Sequence, residues 1–131
     1  MIHISHRSSV ESELAAIAFG DQPGRWPLPA ATTPHQQWLR AVGAGGQGRY
    51  GTAYADLAAL LGAAPSDRLS SLAHSAHASF LRQLGWHSLA RRWDGRAWAL
   101  AGDDPEAAGD ALTGLAAESR RKHNKYDHRP I

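Results

Sequence analysis

His74 and His77 stand three residues apart. At that spacing on a helix two imidazoles project from one face and can share a divalent metal ion. The chemistry then needs a third ligand. The nearest carboxylate in sequence, Asp67, is about two helical turns away, and His87 is more remote, so no metal site is expected. The pair is read instead with its neighbours: Ser70, His74, His77 and Leu81 fall on a stripe away from the apolar face. Ser71, His74, Ser75, His77 and Arg82 are the residues expected to meet a partner.

The run Gly43, Ala44, Gly45, Gly46, Gln47, Gly48 matches G-x-G-x-x-G. Dinucleotide binding at such a turn requires a strand before it and an acidic residue about twenty positions on, at the end of a second strand. Thr33-Pro34 is a helix start, so the preceding HQQWLRAV reads as helix. Asp67 has the right separation but caps another helix. The glycines are therefore expected to serve a close helix approach and a turn. Arg91, Arg92 and Arg96 with Asp94 read as a solvated charged face, where an Arg91–Asp94 pair is worth about 0.2–0.5 kcal/mol. No serine sits in a G-x-S-x-G elbow and no paired carboxylates mark an acid–base site. No catalytic residue and no cofactor is assigned.

Composition narrows the field further. The chain has 131 residues and a formal net charge of +2, the size of one small domain with a core of its own. Arg120, Arg121, Lys122, Lys125 and Arg129 face only Asp127 in residues 119–131, which leaves the rest of the chain net acidic. A basic arm of this kind can bind phosphate by counterion release, which makes nucleic acid the alternative partner class. There is no cysteine, which excludes disulfides and thiolate metal sites. No apolar run approaches the roughly 20 residues that span a bilayer, and the polar N-terminus has no signal-peptide pattern. The expected location is cytoplasmic, with no membrane partner.

These residues are positioned by helices. Ser8 and Glu11 have capping-box spacing ahead of Val10, Leu14 and Ile17, which predicts a helix over 8–19 after a loose terminus. Pro23, Pro27 and Pro29 make 20–33 a loop, with Trp26 expected to anchor it by burying its indole. A second helix starts at Pro34, and a third runs from about 49 to 61 with Tyr50, Ala53, Tyr54, Leu57 and Leu60 on its apolar face. The fourth begins at Ser66 or Asp67 and buries Leu69, Leu72, Ala73, Ala76, Phe80 and Leu84. Gly85 breaks it. The fifth has the stripe Trp86, Leu89, Ala90, Trp93, Ala97 and Leu100. Asp103, Asp104 and Pro105 open a sixth, over about 105–121, that buries Ala108, Ala111, Leu112 and Leu115. The last ten residues show no periodicity and are expected to be mobile.

Gly48 and Gly85 open the second helix of each pair and lie 37 residues apart. Ala53 and Ala90 follow their glycine by the same interval, as do Leu60 and Ala97. A period of this length belongs to helical-hairpin repeats. The chain resembles the tetratricopeptide repeat over about 34–121. In residues 34–66, Gly48, Arg49 and Tyr50 stand at the turn, Ala53 and Leu57 match the second helix, and Pro65 matches the terminal proline. In 67–104 the matches are Gly85, Ala90 and Ala97, with Pro105 late. The first-helix signature departs: Trp38 is one place off, and Ser71 and His74 stand in the second copy.

The resemblance implies an all-α fold: a single domain over 1–118 of about six helices, its antiparallel hairpins stacked as a short right-handed array. Residues 8–19 lead, 34–66 and 67–104 are repeats, 105–118 is a half repeat, and the basic 119–131 tail is flexible. It also implies a groove that binds a protein or peptide, here the one lined by Ser71 to Arg82, and no catalysis. The half repeat is either a solvating cap or a helix shared with a second copy. Trp98, off the expected buried stripe, marks the surface of such a homodimer.

Overall fold

The computed structural model describes the backbone of residues 2–127 and the side chains of residues 9–120. These residues form six α-helices and no strand: α1 (Ile2–Phe19), α2 (Pro34–Gly46), α3 (Tyr50–Gly62), α4 (Asp67–Gln83), α5 (His87–Ala101) and α6 (Pro105–Asp127). The all-α architecture is as the periodicity requires. Among the described residues no helix is long and apolar enough to cross a membrane. The chain divides into two compact units, Met1–Pro65 and Ser66–Ile131. The division falls where the sequence separates its two hairpins.

In Met1–Pro65, α2 lies between α1 and α3 and packs on both. Leu14 and Ile17 of α1, Trp38, Leu39 and Ala41 of α2, and Ala53, Leu57 and Leu60 of α3 form the core. A Cβ on Gly43 would come within 2.9 Å of Ile17 Cγ2, so the first glycine of the G-x-G-x-x-G run is where α1 meets α2. Thr33 caps α2: its Oγ1 accepts from the Gln36 N–H at 3.1 Å, and Pro34 fills the first turn.

In Ser66–Ile131, α4 packs against α5 and α6, and α5 against α6. Ser66 caps α4 by accepting from the Leu69 N–H, and Asp104 caps α6 by accepting from Ala107. Leu69, Leu72, Ala73, Ala76 and Phe80 are buried as the stripe predicts. α6 lies on both helices of its own unit, through Ala107, Ala111, Gly114 and Glu118.

The two hairpins close in the same way. Gly48 has φ +77° and Gly85 φ +92°, a region that glycine enters without steric cost. The Gly48 N–H bonds Gly45 O and the Arg49 N–H bonds Ala44 O; the Gly85 N–H bonds Arg82 O and the Trp86 N–H bonds Leu81 O. Arg49 (φ −89°, ψ 66°) and Trp86 (φ −87°, ψ 64°) then start α3 and α5. The 37-residue register extends to burial: Ala53, Leu57 and Leu60 correspond to Ala90, Asp94 and Ala97, and all are buried.

Several expectations are corrected. α1 begins at Ile2 and runs through Ser8, which therefore caps nothing; residues 2–7 contain no breaker. α6 continues to Asp127 instead of ending near 118–121. No Gly or Pro follows Gly114 until Pro130, and basic residues suit a helix C-terminus. Its buried line keeps Ala111 of the sequence reading but runs through Ala107 and Gly114 instead of Ala108 and Leu115, with Leu112 exposed. On α5 the inward line is Ala90, Asp94, Ala97 and Ala101, and Trp86 and Leu89 are exposed. Small residues bring helix axes close, so the bulky residues flank the contact. Leu84 is exposed as well. Leu28, not Trp26, is the buried anchor of the loop; the Arg49 guanidinium lies 3.8 Å from the centre of the Trp26 ring.

Candidate functional site

α4 meets α5 through small and polar groups. Ser71 is fully buried, and its hydroxyl donates to Ala97 O at 2.7 Å. Ser75 is buried too, with an Oγ that has no hydrogen-bond partner. Leu81, Ala78 and Ala90 form an apolar cluster on which Trp93 packs. The Trp93 ring stacks on His77, with centroids 3.8 Å apart and planes 21° apart, and lies 4.9 Å from His74. Burial first, and the neighbouring His74 second, push His77 below the usual histidine value. His74 is oriented from its own helix, Nδ1–H donating to Ser70 O at 2.7 Å.

The stripe expected to face a partner is thus largely the seam of the hairpin. Ser71, Ser75 and Leu81 are inside it. His74 and His77 are half-buried against Trp93, and Arg82 is committed to Asp94. The physical reason is that serine and histidine are small or flat enough to sit between close helices when their polar atoms find local partners. Among the described residues no group of three or more His, Cys, Asp or Glu could hold a metal ion.

One arrangement was not foreseen. Asp94 is 0% exposed, and its Oδ2 accepts from the Arg82 guanidinium. Its Oδ1 has no hydrogen-bond partner. A Cβ on Gly114 would collide with this carboxylate, so Gly114 is a flat floor for Asp94. One turn further along α6, Glu118 is 3% exposed and accepts from His87 Nδ1 at 3.2 Å. The Asp94 carboxyl is pushed above its usual value by burial; Arg82 pulls it down, and the Glu118 charge raises it again. The expected Arg91–Asp94 pair on a solvated face is replaced by this buried one. The signal lay in the repeat: in the 37-residue register Asp94 stands where Leu57 stands, at a core position.

The glycine run is part of α2 and its turn, so no strand precedes Gly43. An open depression of about 430 Å³ lies beside it, lined by Pro23, Gly24, Gly46, Gln47 and Arg49. Its polar groups hold the proline-rich loop. Gln47 Nε2 donates to Pro23 O and Arg25 O at 3.0 and 2.8 Å, and Arg49 Nε donates to Gln47 Oε1 at 3.2 Å.

Of the basic arm, Arg120 is exposed. The side chains of Arg121, Lys122 and Lys125, and Arg129 as a whole, lie outside the described residues. The largest exposed apolar side chains of α5 and its N-cap are the capping Trp86 (63%), Trp98 (47%) and Leu89 (40%). Trp98 follows His87 by three turns, on the side that His87 turns towards Glu118 of α6. No protein-family model, no curated protein and no solved structure matches the chain.

Proposed function

We propose that the chain is a tetratricopeptide-like interaction module that binds a protein or peptide and has no catalytic activity of its own. The observation that carries this reading is the exposure of large apolar residues on α5 and at its N-cap. Ala90, Ala97 and Ala101 face inward, while Leu89, Trp98 and the capping Trp86 are exposed. Exposed Trp and Leu on one helix are the anchors on which interfaces concentrate their binding energy. The repeated turn at Gly48 and Gly85 supports the repeat assignment. The partner surface in this reading is carried by Trp98 of α5 and by Trp86 at its N-cap, not by the Ser71–Ser75 side of α4.

The test is capture of a partner from lysate by the wild type and by Trp86→Ser and Trp98→Ser. Both positions are exposed, so circular dichroism of the variants should match the wild type while capture falls about tenfold or more. Light scattering over a range of concentrations reads self-association by the same surface. Undiminished capture and unchanged mass in both variants would remove α5 as the binding face.

A further inference from the structure

The unit Ser66–Ile131 encloses two carboxylates and one guanidinium at a single junction. Arg82 faces Asp94 from α4, His87 shares the α5 face with Asp94, and Glu118 reaches in from α6. The junction holds one permanent cation, Arg82, against two carboxylates, and His87 supplies a second cation only by binding a proton. Both carboxylates are out of water, and Asp94 Oδ1 has no hydrogen-bond partner. Gly114 closes the remaining side without supplying a donor. An uncompensated buried carboxylate takes up a proton in preference to staying charged.

We infer that packing α6 onto the α4–α5 hairpin is coupled to uptake of one proton at the Arg82, His87, Asp94 and Glu118 junction. The unit is therefore a pH-dependent closure. When α6 leaves, Asp94 and Glu118 return to water, and the proton is released to solvent above the ordinary carboxylate range. The raised Asp94 carboxyl agrees with this. The sign follows from linkage. The folded state binds more protons than the unfolded state above the ordinary Asp value of 3.8. Stability then declines as pH rises through the raised value. One proton of difference changes the folding constant by about tenfold per pH unit.

The experiment is urea unfolding of the full chain between about pH 4 and 8, from the ordinary carboxylate range upward, for the wild type, Glu118→Gln and Arg82→Gln. Glu118→Gln leaves Arg82 and Asp94 as a neutral pair, so its folding constant should lose the wild-type decline with pH. Arg82→Gln leaves both carboxylates without a cation, so its decline should be steeper. Should Arg82→Gln fail to fold, potentiometry on unfolding His77→Phe, which lacks the opposing proton uptake of His77, reads the proton directly, and release of about one proton is expected. Parallel pH profiles for the wild type and Glu118→Gln, or no proton released on unfolding His77→Phe, would overturn the inference.

Discussion

Gly114 earns its place by what it lacks. Any side chain there meets the Asp94 carboxylate, and Asp94 is tied to Arg82 on its other oxygen. Gly114→Ala gains helix propensity yet should destabilise the protein by about 1–3 kcal/mol, as overpacking does, which the urea midpoint reads. A gain in stability would mean that α6 does not press on Asp94. Asp94 also shows where sequence reading stops. Its type suggests a solvated face, and only the correspondence with Leu57 places it inside. Burial of an aspartate then depends on Arg82, twelve residues away on another helix, a pairing that helical periodicity does not encode. Ser71 fails to read in the same way: a buried serine is acceptable because Ala97 O accepts its proton.

The starts of α2, α4 and α6 were legible because a side-chain cap is a local event, whereas Ser8 lies inside α1. Thr33 with Pro34, Ser66, and Asp104 all cap where their types say they should. The faces of α5 and α6 were not, because amphipathic counting follows bulk and these helices meet along alanine and glycine. The α4–α5 seam yields a test at this scale. His77 lies flat on Trp93 and is held below the usual histidine value, by burial first and by His74 second. The unfolded chain therefore binds a proton at His77 more readily than the folded hairpin does. Stability from this residue is fully present above 6.5 and declines as pH falls through that value towards the lowered one. His77→Phe keeps a flat ring on Trp93 and removes the proton. Relative to the wild type, its thermal midpoint should rise on going from pH values above 6.5 to values below it. Equal changes in the two proteins would show that His77 titrates as freely in the hairpin as in the unfolded chain.

Across the whole molecule, Met1–Pro65 and Ser66–Ile131 each hold three helices around their own buried residues. Ser66–Ile131 expressed alone should keep helical circular dichroism and melt cooperatively, since its caps, its Ser71–Ala97 bond and its ion pairs are internal. A featureless chain would show that the unit depends on what precedes it. Pro65 was legible as a repeat boundary within one expected domain, and the chain divides into its two compact units there. The arm at 119–131 was read from charge alone, and its backbone continues α6 as far as Asp127. The paired turns at Gly48 and Gly85 have a consequence for synthesis. Each closes through bonds that reach back no more than five residues, Arg49 to Ala44 and Trp86 to Leu81. Local contacts form fast, and nascent chains fold in the order they emerge. The first hairpin can be closed on the ribosome while the second is still being translated, so the chain never has to find both turns at once.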